Sequence, residues 1–454
     1  MPSAFALLTL MIFIAVALSW VVPAGKFDRA PNAEGRMMVV PGTYHLVESN
    51  PASIWDGVAS IPTGIVGSAA IIFTVLLIGG CFTVIEGTGI LQASLSKVTK
   101  VFKGKELLMI PIVMIALSVM CSFIGLLELS MVMIPIMIPI CLALRMDSMT
   151  ALAIPLIATA AGFGAALANP FTVVIAQGIG ELPLYSGAVY RTICLSVITL
   201  IGIVYVMRYA AKVRKDPTIS VTYERDKLMA EEYSGGETIE MNGRRKLALV
   251  AFLAGFGTII FGALKYRWGL MQIDTVFIAM AIACGFLAGM SVEELCEKFS
   301  KGLSTFVAAA LISGFARAIT VVLEDTSIID SIINGVAFAV QALPPAVASV
   351  GMLVFQCLFN FIVPSGSGQA LITMPIMIPL ADILGVTRQT AILAFQFGDG
   401  FSNILWPTLG YLWACIGFAK VRYEEWVRFV LPLLGAWYLT AAVLVFIAQM
   451  IQWQ

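Results

Sequence analysis

Long apolar runs separated by short polar breaks fill the chain, and the runs predict membrane helices rather than a water-soluble core. They lie at about 4–22, 61–86, 106–124, 127–143, 149–178, 185–209, 246–265, 272–290, 304–324, 347–363, 370–384, 389–416 and 429–450. A bilayer's hydrocarbon core needs roughly 20 apolar residues per helical crossing. The regions 106–143 and 347–384 each read as two half-length arms meeting at a polar tip, a re-entrant hairpin that enters and leaves on one side. Segments 87–103 and 326–342 read as amphipathic helices at the interface. Residues 210–245 mix charges of both signs and read as a solvated connector. The first run lacks a basic leader and is long for a signal peptide, so it predicts a first transmembrane helix.

Composition agrees, with 60% hydrophobic and only 12% charged residues. Only a lipid bilayer hides that much apolar surface. The 27 basic and 27 acidic residues cancel, leaving no field for nucleic acid. With both hairpins re-entrant, nineteen Lys and Arg fall on the connector's side and seven on the other, Arg317 lying within a span. Positive charge marks the cytoplasmic side. The N-terminus is therefore expected inside and the C-terminus outside a bacterial cytoplasmic (inner) membrane. His45 is the single histidine and lies in a polar loop, and the eight cysteines form no metal-type pair. No cofactor and no enzymatic chemistry are expected.

The chain also resembles itself. Pro135-Ile136-Met137-Ile138-Pro139 falls on Pro375-Ile376-Met377-Ile378-Pro379 at a shift of 240. Val84, Glu86 and Thr88 fall on Val322, Glu324 and Thr326 at 238, as Phe163 and Leu167 fall on Phe401 and Leu405. An odd number of crossings separates the units, so the predicted fold is an all-α polytopic membrane protein of two inverted repeats. Each repeat holds a re-entrant helical hairpin and a broken transmembrane helix. Such repeats are typical of secondary transporters.

Four interruptions at membrane depth nominate the site. The hairpin tips are 124–130, with Gly125, Glu128 and Ser130, and 364–369, with Ser365, Ser367 and Gln369. The helix breaks run from Gly162 through Asn169 and Thr172, and from Gly398 through Asp399, Ser402, Asn403 and Thr408. Irregular backbone in a membrane must face protein or a watery cavity, and helix ends there attract ions. A carboxylate at that depth costs roughly 2.5–3.5 kcal/mol on insertion scales, so Glu128 and Asp399 suggest a cationic group or a coupling proton. Arg317 could hold a substrate carboxylate or pair with Glu324 or Asp325.

Ala17 to Gly25 (Ala-Leu-Ser-Trp-Val-Val-Pro-Ala-Gly), the Pro135–Pro139 arm, Ala168-Asn169-Pro170-Phe171-Thr172 and Gly400-Phe401-Ser402-Asn403 resemble the anaerobic four-carbon-dicarboxylate carrier family. The resemblance covers essentially the whole chain and is nearest the YfcC-like branch, provisionally named basic amino acid antiporters, within the ion transporter superfamily. It implies homodimers in which a transport domain slides past a scaffold, an elevator. It also implies Ser-Asn-Thr triplets at tips and breaks that bind sodium and a substrate carboxylate. Neither tip here carries the triplet. One break has Asn169 with Thr172 and the other Ser402 and Asn403 with Thr408, so sodium at these residues and proton coupling both stay open.

On that template the scaffold helices and interfacial arm occupy 1–105. The first transport half is 106–209, the cytoplasmic connector 210–245, the second scaffold part with its interfacial arm 246–345, and the second transport half 346–454. Two intramembrane carboxylates with one arginine favour an amino acid, a basic one among the candidates, moved by exchange or ion coupling. The alternative is a four-carbon dicarboxylate. An ion channel fits less well, since isolated breaks do not make a continuous polar path.

Overall fold

Polar caps decide where the long helices begin. The computed structural model describes residues 4–31, 37–91, 93–94, 102–234, 241–266, 268–340 and 343–454. Helix α1 is Ala4–Val21. Ser53 and Asp56 form a capping box that starts α2 (Ile54–Gly67) ahead of the apolar run, and α3 (Ala69–Gly87) follows after a break at Ser68. Ser291 and Glu294 form the same box at the head of α12 (Val292–Asp325), which extends the helix well before the expected 304. Each box satisfies backbone donors that would otherwise be orphaned at a helix start, so helix continues into polar sequence.

The first hairpin has arms α4 (Met109–Ile124) and α5 (Leu129–Ala143). The first broken helix is α6 (Ser148–Gly164) and α7 (Val173–Ile179), closed by α8 (Ala188–Lys215). Helix α9 (Tyr223–Ser234) lies in the connector, before α10 (Gly243–Tyr266) and α11 (Leu270–Ala288). After α12 come α13 (Ile329–Val340) and the second hairpin, α14 (Pro345–Ile362) with α15 (Gly366–Leu384). The second broken helix is α16 (Arg388–Ser402) with α17 (Gly410–Phe418), and α18 (Tyr423–Met450) ends the fold.

Two expectations change. The loop after α1 carries two short antiparallel ribbons, Gly25–Lys26 (β1) with His45–Leu46 (β4) and Arg29–Pro31 (β2) with Met37–Val39 (β3). The connector is docked rather than free: Arg225 bonds Glu425 at 2.6 Å and the Ser148 amide bonds Asp226 at 3.1 Å. Helix α9 thus ties the starts of α6 and α18 together. A helix, α13, occupies Ile329–Val340 of the segment 326–342, whose last part, like part of 87–103, lies outside the described residues.

Nine helices among the described residues are long and apolar enough to cross a membrane. This set includes hairpin arms α4, α14 and α15 and omits α1 and both broken helices, α6 and α16, which are shorter.

Helices α1, α2, α3, α10, α11 and α12 pack on one another. The second group centres on α6 against α16, with α4 and α5 laid on α6 and α14 and α15 on α16. Every residue of α6, and of α16 from Gln389 to Ser402, is buried. Helix α17 makes the main contact between groups, against α12. Small residues permit close approach within the first group: a Cβ on Gly64 would lie 2.4 Å from the Gly314 carbonyl oxygen, and one on Gly302 2.7 Å from Gly80 Cα.

Candidate functional site

The two glycine pairs expected to break helices do not. Helix α6 runs through Gly162 and Gly164, and α16 through Gly398 and Gly400. Their role is contact. A Cβ on Gly400 would fall 2.1 Å from Gly164 Cα, and one on Gly162 2.2 Å from the Ser118 carbonyl oxygen of α4. A Cβ on Gly398 would meet α14 at Gln356 Cβ, 2.6 Å away. The breaks proper are residues 165–172 and 403–409, which contain Asn169, Thr172, Asn403 and Thr408.

The tips rest on these breaks. Gly125 ends α4 with φ of 70°, left-handed geometry that glycine adopts without steric cost. A side chain there would also overlap Asn169, whose Oδ1 would lie 2.1 Å from its Cβ. At the other tip Ser365 caps α15 by accepting the Gly368 amide at 3.2 Å. A Cβ on the next residue, Gly366, would sit 2.7 Å from Thr172 Cγ2 and 3.1 Å from Asp399 Oδ2. The second tip therefore lies against the first break and the last turn of α16 at once.

Between the tips and the first helix group lies a cavity of about 350 Å³. Its lining includes Gly125, Glu128, Ser365, Gly366, Ser367, Asn403 and Thr408, with Ser68, Ser313 and Arg317 from the opposite wall. Phe163, Phe171 and Tyr411 supply apolar surface. Glu128 at the head of α5 and the first turn of α15 border it, so two positive helix ends lie beside one carboxylate and one guanidinium. Arg317 also pairs with Glu324 at 3.5 Å, so both roles expected of it are compatible with the geometry.

The remaining candidates form a layer behind the cavity. Asp399 is 0% exposed, and neither carboxylate oxygen has a hydrogen-bond partner. Asn360 Nδ2 donates to the Asp399 carbonyl, Ser402 Oγ and Asn403 Oδ1 at 3.0, 2.6 and 2.9 Å. Gln396 donates to Thr172 Oγ1 at 3.0 Å and to the Phe163 carbonyl, linking α16 to the first break. Gln369 Nε2 donates to Gln356 Oε1 at 2.7 Å, which joins the arms of the second hairpin. Ser130 donates to the Leu127 carbonyl at 2.7 Å and lies 3.4 Å from Cys415. Asn169 Oδ1 accepts the Phe171 amide at 2.9 Å while its Nδ2 is unpartnered.

Carbonyls of the second break, which a helix break could leave free for a cation, are largely taken. Tyr411 bonds the Asn403 carbonyl, Trp426 that of Ile404, Tyr423 that of Leu405 and Trp413 that of Pro407. Ser402 and Asn403 present oxygens, but both already accept from Asn360. Sequence reasoning missed Gln356, Asn360 and Gln396. The available signal was an amide inside an otherwise apolar helix, which must find buried partners.

The model of the C4-dicarboxylate anaerobic carrier family, DcuC, matches residues 1–450. The chain belongs to this family. YfcC of Escherichia coli K12, provisionally named a basic amino acid antiporter, is 32% identical over 484 residues, covering 98% of this chain and 96% of that protein. An uncharacterized Haemophilus influenzae protein is 29% identical over 488 residues, with the same 98% and 96% coverage. The crystal structure of the Alcanivorax borkumensis YdaH transporter aligns at a TM-score of 0.44 and 16% identity, covering 100% of this chain and 99% of that one. As a DcuC-family member with nine long apolar helices among the described residues, the protein is a multi-pass membrane carrier, a secondary transporter that moves its solute without transforming it.

Proposed function

We propose that this DcuC-family carrier moves an amino acid, preferentially a basic one, across the cytoplasmic membrane by exchange or ion coupling. The observation that carries the reading is Asp399, a fully buried carboxylate with both oxygens unpartnered directly beneath the tip at Gly366. A buried charge without compensation is costly, so Asp399 calls for a cationic group or a proton during the transport cycle. Glu128 supplies a second acidic group in the cavity, while Arg317 and the starts of α5 and α15 suit a carboxylate. The name of the YfcC relative points the same way. The family's description favours the second reading, a four-carbon dicarboxylate, for which the two helix starts, Ser365, Ser367 and Arg317 would be the donors.

Transport by inverted repeats moving as an elevator is part of the proposal. It is supported by element lengths: a shift of 238 carries Ile54–Gly87 onto Val292–Asp325, and one of 235 carries Ala188–Lys215 onto Tyr423–Met450. On this reading the two helix groups are a scaffold and a transport body. The homodimer, the coupling ion (sodium at Asn169, Thr172, Ser402 and Asn403, or a proton) and the orientation with N-terminus inside and C-terminus outside belong to the same proposal. Counterflow tests the substrate assignment. Liposomes preloaded with unlabelled arginine should take up labelled arginine in a saturable manner, and D399N should abolish this. Exchange of succinate alone would select the second reading.

A further inference from the structure

A second cavity of about 340 Å³ lies where the β1–β2 segment meets the end of α12 and hairpin arm α15, lined by Lys26, Arg29, Glu324, Ser327, Asp330 and Ile372 among others. Its wall is built, not incidental. Asp330 accepts the Phe27 amide and an Arg29 Nη, each at 3.0 Å, and the Gly25 amide donates to the Ser327 carbonyl at 3.0 Å. Ser331 donates to the Pro23 carbonyl at 2.6 Å. These bonds fix Asp330 and Arg29 on each other. Among the described residues Lys26 has no ion-pair partner, while Glu324 is held by Arg317 alone at 3.5 Å.

That last pair has one member in each cavity: Glu324 lines the second and Arg317 the first. The ion pair thus links the two linings, where it can act as a partition between them. Its side chains are 35% and 47% exposed, so it is weak and readily exchanged. We propose that the second cavity is a receiving site for a zwitterionic or dipolar ligand of amino acid class, and that such a ligand opens the partition by exchanging charges with it. The ligand's carboxylate meets Lys26 and its ammonium meets Glu324, which releases Arg317. The freed guanidinium then takes the carboxylate into the central cavity. A dicarboxylate meets Lys26 but is repelled by Glu324 and leaves the pair shut. Both cavities fall within the size range of small-molecule sites. The inference rests on the carrier reading for its direction, from the outer face inward.

The test uses cysteine reporters in the central cavity, S68C and S367C, each in full-length protein in right-side-out vesicles. Membrane-impermeant cationic and anionic thiol reagents are applied outside. E324Q should raise the modification rate of both reporters by roughly 1.4- to 5-fold with either reagent, the range set by a weak exposed ion pair. E324D should keep the parent rate. Arginine should raise the rate when Glu324 is intact, and succinate should not. Equal rates with and without E324Q, or equal effects of arginine and succinate, would overturn the proposal. Labelled arginine uptake by the parent is read separately: no uptake with the reactivity changes intact removes the carrier reading and leaves the partition standing.

Discussion

Replacing Asp399 with Asn separates function from folding unusually well. The substitution keeps side-chain volume and removes one charge at a site that is 0% exposed. Because neither Asp399 oxygen accepts a hydrogen bond, no intramolecular bond is lost. The amide also ends the burial of an uncompensated carboxylate, so the melting temperature of the purified protein should hold or rise. Substrate binding should respond in the opposite direction. Removing one partner of a buried charge pair costs about 3–5 kcal/mol, and each 1.4 kcal/mol is tenfold in affinity. Affinity for a cationic amino acid should therefore fall by roughly two to three and a half orders of magnitude. Equilibrium binding of labelled arginine to detergent-purified protein, alongside a thermal melt, measures both. Wild-type affinity would refute the assignment of Asp399 to the ligand. A large drop in melting temperature would show instead that its carboxylate serves the fold.

Glu128→Gln should also depress uptake of a basic amino acid without reducing membrane insertion, and normal uptake would remove Glu128 from the site. Arg317→Ala should weaken binding of a carboxylate substrate by about tenfold or more, as expected for a hydrogen bond to a charged group; unchanged affinity would leave Arg317 a structural role. Gly400→Ala gains up to about 1 kcal/mol of helix propensity. Its Cβ, however, would lie 2.1 Å from Gly164 Cα, a backbone atom that cannot rotate away. Overpacking of about 1–3 kcal/mol should dominate, so the melting temperature should fall, and an unchanged melt would contradict the close crossing of α6 and α16. In the connector, burial raises the Asp226 carboxyl above its ordinary value of 3.8, opposed by bonds from Ser148 and Thr222. A raised value in the fold means a stabilising contribution that is full below 3.8 and lost as pH climbs through the raised value. Melts of wild type and D226N across acid to neutral pH should therefore diverge, and parallel curves would remove Asp226 from the pH response.

The sequence made the membrane class, the helix list and the four interruptions legible, because each is written in local composition. Apolar length reports burial in lipid directly, and Gly/Ser-rich tips or an Asn-Pro step advertise themselves. Packing is not local. Gly162, Gly164, Gly398 and Gly400 looked like helix breakers, yet they are contact points whose partners come from distant segments. Asn360, Gln356 and Gln396 were passed over because an isolated amide signals nothing until the carbonyls and hydroxyls it serves are known. The early starts of α2 and α12 were hidden for another reason. Hydropathy marks where a helix enters lipid, whereas the caps at Ser53 and Ser291 mark where the helix begins. The docking of α9 was equally illegible, since Arg225 and Asp226 look like ordinary surface charge until Glu425 and Ser148 are placed beside them.

The most direct test of the central claim is reconstitution of the purified carrier in liposomes. Labelled arginine, ornithine, aspartate, succinate and fumarate would be offered under imposed sodium and proton gradients. The account predicts saturable accumulation of arginine or ornithine that D399N abolishes. Accumulation of succinate or fumarate alone, uptake indifferent to D399N, or flux that never saturates would contradict it.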